Sequence, residues 1–311
     1  MKKKLIHYVV LIWLMVFTFA IPIEAKKLIP MGNTISVQLE MPHYYVLNDV
    51  LLDSGEWLRK RDQILKIDGQ EVRELSEEDP PSKDAKMLVK RGGKEHTIQI
   101  SGSELQHLTS FIKNETDGIG TLTYIDPDDM EYGALGHQII DHSLDIKPKV
   151  MKGSLYLANI SQIKKSRPGE PGYKISSSER HEAQVGSILE NEVYGIFGKW
   201  QQPLKQSLYP PLEIIHGKEI KTGPAQMVTS IEGATIEKFN INIHKVTGET
   251  FQFTVTDERL LEKTGGIIQG MSGSPIVQNE QFVGAVTHMF VEEPTKGAAI
   301  TIVEMIKKSP E

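Results

Sequence analysis

The stretch GGIIQGMSGSPIVQNEQFVGAVTH, residues 265–288, contains the residues of this chain that are best suited to chemistry. A serine nucleophile requires a turn that exposes its hydroxyl group while neighbouring backbone N–H groups point to where an oxyanion forms. Glycines flank Ser272 and let the backbone approach a substrate carbonyl closely. Ser272 is therefore the predicted nucleophile, and the backbone N–H groups of Gly270 and Ser272 are the predicted oxyanion hole.

The residues that follow the serine distinguish between classes of hydrolase. Position 274 is Ser, so the G-x-S-x-G pattern of the α/β-hydrolases is not met, and a strand, a turn at Asn279-Glu280 and a second strand follow. The segment resembles the G-x-S-G-[GS]-P motif of chymotrypsin-like serine proteases, in which a hairpin follows the nucleophile. The alternative is a Gly/Ser-rich turn that only joins two strands.

A serine at neutral pH needs a base within hydrogen-bonding distance, usually a histidine that a carboxylate orients. His137 is the predicted base because it follows small residues in YGALGH, and a surface loop residue is the alternative. Asp257 is the predicted third member of the triad, since Asp141 and Asp145 are too close to His137 in sequence. The alternative role for Asp257 is the N-cap of a helix that begins at Glu258.

Composition and spacing exclude other kinds of site. The chain has no cysteine, so thiol nucleophiles, cysteine-ligated zinc and disulfides are absent. His137 and His142 flank Asp141, but this spacing does not suit one helical face and HExxH is missing, so we predict no metal and no cofactor. The net charge of −6 offers no basic face for nucleic acid.

The length and the strand patterns indicate a mainly β protein of more than one domain. The chain has 311 residues, and domains cluster near ~100–200 residues. From residue 118 onwards, short apolar and β-branched runs alternate with turn residues, which is typical of a sandwich or a pair of barrels. We predict a peptidase domain over residues 118–311, after a linker with a short helix at residues 102–117.

The first 25 residues predict an export signal. Three lysines precede a run of nineteen residues, LIHYVVLIWLMVFTFAIPI, that only His7 interrupts. The possible cleavage site, Ile23-Glu24-Ala25, has a bulky residue where a small one is preferred. We therefore favour an uncleaved membrane anchor over a removed signal peptide, with residues 26 onwards exported.

Residues 28–101 predict a PDZ-like domain. Residues 54–72, SGEWLRKRDQILKIDGQEV, resemble the PDZ stretch in which a short helix leads into a strand and an Asp-Gly turn. PDZ domains bind an extended chain at an open sheet edge, and Met31, Gly32 and Asn33 are the predicted carboxylate-binding loop. Arg61 stands where that family usually has Gly. The alternatives are a working peptide groove, which also allows self-association, and a spacer that docks on the next domain.

Several motifs together resemble the SpoIVB peptidase family, also called stage IV sporulation protein B. They are GALGH, TDERLLEKTGGI, IIQGMSGSPIV, GIFG at residues 195–198 and GAVTH at residues 284–288. The resemblance extends from about Leu28 to the C-terminus. It implies a chymotrypsin-like double barrel and carries the family triad over to His137, Asp257 and Ser272.

The same resemblance implies a biological role. Family members are serine peptidases that the forespore exports into the space between the two membranes, where they cleave a membrane-bound regulator of an intramembrane metalloprotease. That cleavage permits sigma-factor processing, and family members also cleave themselves. The alternative function is an exported PDZ-containing scaffold whose peptidase-like β domain is inactive.

Overall fold

The computed structural model describes residues 26–72, 83–177, 183–204 and 207–307. The predicted export segment, residues 1–25, lies outside these residues. None of the helices in the described ranges is both long and apolar enough to span a bilayer.

The N-terminal third consists of short strands and one capped helix. The strands are β1 Lys27–Pro30, β2 Thr34–Val46, β3 Val50–Leu51, β4 Trp57–Leu58, β5 Gln63–Ile67, β6 Gln70–Glu71, β7 Ala85–Arg91 and β8 Lys94–Ile100. Helix α1 spans Gly102–Gln106, and a 3-10 turn follows at Leu108–Ser110. Ser101 and Glu104 form a capping box that fixes the start of α1.

The middle and C-terminal thirds are also mainly strands. The middle strands are β9 Ile112–Ile125, β10 Glu131–Ala134, β11 Lys152–Leu157, β12 Asn159–Lys164, β13 Tyr173–Ser177, β14 Gly186–Glu192, β15 Gly195–Trp200 and β16 Leu212–Glu213, with a 3-10 turn at Gly217–Glu219. The C-terminal elements are β17 Gly223–Glu232, β18 Thr235–Thr247, β19 Thr250–Val255, α2 Glu258–Thr264, β20 Pro275–Gln278, β21 Gln281–Phe290, β22 Glu293–Thr301 and α3 Ile302–Ile306.

Two six-stranded barrels form most of the molecule. In barrel 1, β2, β9, β10, β15, β14 and β11 pair in that order, and β11 pairs with β2 to close the ring. In barrel 2, the order is β17, β18, β19, β22, β21 and β20. Each barrel has its own apolar core, and a third cluster that includes Leu28, Phe282 and Met305 joins the two. The mainly β double-barrel architecture predicted from the sequence is confirmed.

A small module is inserted between β2 and β9, and both strands belong to it and to barrel 1. Residues Thr34 to Glu40 of β2 pair with β9 inside barrel 1, whereas Tyr44 pairs with Ile64 of β5 in the module. The module has its own core, which includes Leu58, Ile64 and Met87. The peptidase barrels therefore require residues before 118, and the predicted PDZ-like range of 28–101 includes strands of barrel 1.

The predicted linker and the predicted peptide-binding loop also differ from the structure. Residues 102–117 contain α1 and the first part of β9. Met31 is buried in the core of barrel 1, and its N–H donates to the Thr123 carbonyl. The N–H of Gly32 donates to the Leu122 carbonyl, and a β-carbon on Gly32 would lie 2.7 Å from Val228. The N–H groups of Met31 and Gly32 are therefore not free to bind a carboxylate, and residues 31–33 connect β1 to β2.

Three of the predicted turns are confirmed by backbone geometry. Gly92 and Gly93 both have positive φ and join β7 to β8. Asp68 and Gly69 also have positive φ, between β5 and β6. Asn279 and Glu280 form the same kind of turn between β20 and β21. Such two-residue loops match the right-handed twist of the strands on either side.

Candidate active site

The loop from Ile268 to Ser274 carries the predicted nucleophile and is called the nucleophile loop. It lies where the two barrels meet. The N–H of Thr121, on β9, donates a 2.9 Å hydrogen bond to the carbonyl of Ser272. The Thr121 hydroxyl donates to the Gly270 carbonyl at 2.8 Å, and the Thr123 hydroxyl donates to the Gly273 carbonyl at 2.8 Å. Barrel 1 therefore fixes a loop that belongs to barrel 2.

The two serines of this loop have different environments. Ser274 is fully buried, with its hydroxyl 3.5 Å from that of Thr121. Ser272 is partly exposed, and its hydroxyl has no protein hydrogen-bond partner within the described ranges. Only the Ser272 hydroxyl is therefore placed to meet a substrate.

The backbone N–H groups of the loop alternate between occupied and free. The N–H of Met271 donates to Ile268, that of Gly273 to Val286 and that of Ser274 back to Met271. Among the described residues, the N–H groups of Gly270 and Ser272 have no protein acceptor. Two unpaired donors on either side of Met271 are what an oxyanion hole requires.

His137 lies beside this loop. A β-carbon on the preceding residue, Gly136, would lie 2.6 Å from the Val286 carbonyl and 3.6 Å from the N of Gly273. Gly136 has a φ of +67° in a position with no room for a side chain. This close contact brings the His137 segment of barrel 1 next to the segment that carries Ser272.

The orientation of the His137 ring is set by the backbone carbonyl of the next residue. Its Nδ1 lies 2.8 Å from the carbonyl oxygen of Gln138, which accepts a hydrogen bond. Nδ1 must therefore carry the proton in the neutral ring, which leaves Nε2 as the acceptor. The Gln138 carbonyl thus occupies the ring position at which the sequence predicted a carboxylate.

The carboxylate of Asp257 is engaged elsewhere. It caps α2 by accepting from the N–H groups of Arg259 and Leu260, and it also accepts from the N–H of Asn240. The Arg259 guanidinium lies 3.4 Å away. Burial opposes ionisation, but these hydrogen bonds outweigh it and lower the pKa of Asp257. The structure does not place Asp257 in contact with His137 and shows instead the N-cap that was the alternative.

The loop after His137 is anchored at three points that the sequence did not reveal. The buried amide of Asn191 accepts from the Ile139 N–H at 2.8 Å and donates to the Ile139 carbonyl at 3.0 Å. Asp141 forms a 2.8 Å ion pair with Lys113, and Arg61 of the module forms a 2.7 Å ion pair with Asp145. No sequence motif marks these contacts, because their partners are 28 to 84 positions apart.

The anchoring carboxylate and a second histidine have shifted pKa values. Burial alone would raise the pKa of Asp141, but hydrogen bonds from Lys113, Ser143 and Leu144 hold it well below its usual range. His288 follows Val286 and Thr287 on β21, and partial burial, together with the nearby charge of His137, lowers its pKa. His288 is therefore near His137, although the sequence marked it only as part of the GAVTH motif.

An open cleft of about 840 Å³ begins at the nucleophile loop. Its walls come from both barrels and from the β12–β13 hairpin. They include Ile119, Tyr173, Gln269 and Gly270. A volume of this size lies within the range of ligand-binding clefts.

Comparison with known proteins identifies the family of this chain. The SpoIVB peptidase S55 family matches residues 104–306, about two thirds of the chain. The chain belongs to the SpoIVB peptidase family. As a member, it is a serine endopeptidase, and the predicted family assignment is confirmed.

The solved structures that resemble this SpoIVB peptidase family member are distant. The active form of the Rv3671c protease from M. tuberculosis is 15% identical, covering 62% of this chain and 73% of that one, with a TM-score of 0.37. The structure of GrC is 10% identical, covering 62% of this chain and 86% of that one, with a TM-score of 0.38. Neither resemblance is close enough to support an argument about this site. No curated protein matches the chain.

Proposed function

We propose that Ser272 is the nucleophile of this endopeptidase and that His137 is its general base. The observation that carries the proposal is the pair of free N–H groups at Gly270 and Ser272 beside a partly exposed serine hydroxyl. The N–H groups of Gln269, Met271 and Gly273, which flank these two donors, are all paired. The position of Gly136 against the same loop supports the choice of histidine.

The reaction would proceed by acyl transfer. Nε2 of His137 accepts the hydroxyl proton as the Ser272 oxygen attacks the substrate carbonyl, and the oxyanion accepts hydrogen bonds from Gly270 and Ser272. Collapse of the intermediate breaks the C–N bond, and the imidazolium gives its proton to the leaving amine. Water then hydrolyses the acyl-enzyme by the same steps, with His137 again as the base.

Labelling with a fluorophosphonate probe tests this chemistry directly. Purified residues 26–311 should form one covalent adduct, which peptide mass mapping places on Ser272. Ser272→Ala should not react, whereas Ser274→Ala should, because the Ser274 hydroxyl is buried. An adduct on any other serine would refute the assignment of the nucleophile.

We further propose that the enzyme acts in endospore formation. In this proposal residues 1–25 anchor it to the forespore membrane, and residues 26 onwards lie in the space between the two membranes. Its substrate is a membrane-bound regulator of an intramembrane metalloprotease, and it also cleaves itself. Family membership supports the role, and tethering enzyme and substrate to one surface would raise their effective concentration.

The sporulation role can be tested in a spore-forming host. Replacing the chromosomal copy by Ser272→Ala should block processing of the mother-cell sigma factor and leave the membrane-bound regulator intact. A host that sporulates normally with this variant would support the alternative of an exported PDZ-containing scaffold with an inactive β domain. Self-association through the module is compatible with both functions.

A further inference from the structure

A buried lysine lies beneath the nucleophile loop. Lys174 is on β13, and only 4% of its surface is exposed. Its backbone N–H donates to the Gln269 carbonyl at 3.0 Å, and the Gln269 N–H donates to the Gly172 carbonyl at 2.8 Å. The β12–β13 hairpin is therefore hydrogen-bonded to the residue that precedes Gly270.

The amine of Lys174 connects both barrels. Nζ lies 3.1 Å from the hydroxyl oxygen of Thr34 at the start of β2, in barrel 1. It also lies 3.1 Å from the hydroxyl oxygen of Thr229 on β17, in barrel 2. Both threonines are buried. Lys174 therefore bridges the barrels from the hairpin that packs against the nucleophile loop.

The methylene groups of Lys174 pack directly against Gly270. A β-carbon on Gly270 would lie 3.0 Å from Cδ and 3.1 Å from Cγ of the lysine. Gly270 has a φ of +94°, and the Thr121 hydroxyl holds its carbonyl from the other side. Because both sides are fixed, the direction of the Gly270 N–H depends on where Lys174 lies.

Burying the amine of Lys174 at this position lowers the stability of the folded chain. Among the described residues, no carboxylate lies within ion-pair distance of Lys174, and two hydroxyl groups are its hydrogen-bond partners. An apolar side chain would avoid the cost of burying it. The site therefore contains a destabilising group next to the residue on which the oxyanion hole depends.

We propose that Lys174 is a positioning residue for the oxyanion hole, which it organises by holding Gly270 from both barrels. In its ammonium form it also places a positive charge beside the site where negative charge develops in the transition state. This inference rests on the proposed role of Ser272 and Gly270. Lys174 lies outside the family motifs found in the sequence.

Lys174→Met tests the proposal because it keeps an unbranched side chain and removes the amine. We expect kcat for a soluble peptide to fall about 10- to 100-fold, with KM within about threefold, because the amine would act in the transition state. The rate of fluorophosphonate labelling should fall in parallel. The control is Lys165, an exposed lysine between β12 and β13, and Lys165→Met should have the same kcat as the wild type.

Stability measurements separate positioning from a merely structural role. Lys174→Met should unfold at a denaturant concentration no lower than the wild type. A kcat within twofold of the wild type would overturn the proposal, and so would losses of kcat and stability that occur together. If Lys174→Met does not fold, Thr229→Val is the second test, because it removes one hydrogen-bond partner of the amine and keeps the shape of the side chain at position 229. An unchanged kcat in Thr229→Val would also overturn the proposal.

The pH profile gives an independent readout. Burial lowers the pKa of Lys174 to about 7. Thr34, Thr229 and the loop residues that contact Lys174 do not titrate, and the titratable groups along the cleft are Glu115, Asp117, Tyr156 and Tyr173. We expect kcat of the wild type to decline above about pH 7, and this decline should be absent in Lys174→Met. The same alkaline decline in both proteins would refute the electrostatic contribution.

The outcomes also distinguish this inference from the proposed function. A wild-type protein that neither hydrolyses peptides nor reacts with the probe would refute the assignment of Ser272 itself. A reactive wild type with an equally reactive Lys174→Met refutes only the role of the lysine.

Discussion

Thr121 and Ser272 are joined across the two barrels by a 2.9 Å hydrogen bond from the Thr121 N–H to the Ser272 carbonyl. The Thr121 hydroxyl holds the Gly270 carbonyl in the same way. One residue of barrel 1 thus fixes both positions whose N–H groups are free. Because these carbonyls are bonded to β9, barrel 1 holds the loop from one side, while Lys174 packs against Gly270 from another.

The two serines of the nucleophile loop should respond differently to substitution. Ser272→Ala is expected to reduce kcat/KM by at least about 1,000-fold without loss of stability, since its hydroxyl has no partner among the described residues. Ser274→Ala should retain activity within about tenfold and lower the free energy of unfolding by about 1 kcal/mol. Peptide hydrolysis and urea unfolding measure both quantities. Equal losses of activity would mean that Ser274 is the nucleophile.

The two neighbouring histidines provide a matched pair. His137→Gln should lose about as much activity as Ser272→Ala, because nucleophile and base act as a unit. His288→Gln should keep most of the activity, since His137, and not His288, is the proposed base. Labelling rates at constant pH compare the two variants. A severe loss in His288→Gln with a mild loss in His137→Gln would reverse the assignment of the base.

Asp257 should be important for folding through its cap. Asn caps helices about as well as Asp, so Asp257→Asn should keep the wild-type free energy of unfolding, whereas Asp257→Ala should lose about 1 kcal/mol. Thermal and urea unfolding provide the measurement. If Asp257→Asn keeps its stability but loses activity about 100-fold, the carboxylate acts on the chemistry and reaches His137 during turnover.

The buried lysine should make stability depend on pH. The pKa of Lys174 is about 7 in the folded chain and about 10.5 when it is exposed, so between these values the unfolded chain binds a proton that the folded chain lacks. This group therefore makes the free energy of unfolding rise as pH increases from about 7 to about 10.5. Urea unfolding at several pH values should show a smaller rise in Lys174→Met. Parallel curves for the two proteins would contradict a buried lysine with a lowered pKa.

The inserted module should select substrates and not build the catalytic site. Val46 pairs with Ile112 across β2 and β9, so replacing residues 47–111 by Asn-Gly should close this ladder as a hairpin. We expect hydrolysis of a soluble peptide within about tenfold of the wild type and a much larger loss on a membrane-bound substrate. Circular dichroism checks that the barrels remain folded. Equal losses on both substrates would show that the module supports the loop that carries His137, which it contacts through Arg61 and Asp145.

Patterns among residues that are close in sequence were sufficient to predict the β class, several turns and two of the candidate site residues. The alternation of apolar residues predicted the β class, and Gly92-Gly93 and Asp68-Gly69 predicted tight turns because few other residues tolerate positive φ. The nucleophile loop was recognisable because its glycines and serines are adjacent in sequence. His137 was recognisable from the small residues before it.

Only the tertiary structure decided which distant residues meet. Alternation along β2 could not show that one strand serves both barrel 1 and the module, since its first half pairs with β9 and its last residues also pair with β5. The position of Asp257 between His137 and Ser272 in the sequence suited the third member of a triad. In the structure, its carboxylate instead accepts hydrogen bonds from the N–H groups of Arg259 and Leu260. Lys174 reads as an ordinary charged residue, and it is buried because β13 packs against Gln269 between the two barrels. Spacing along the chain does not encode contacts between barrels, because they depend on how two separately closed sheets dock.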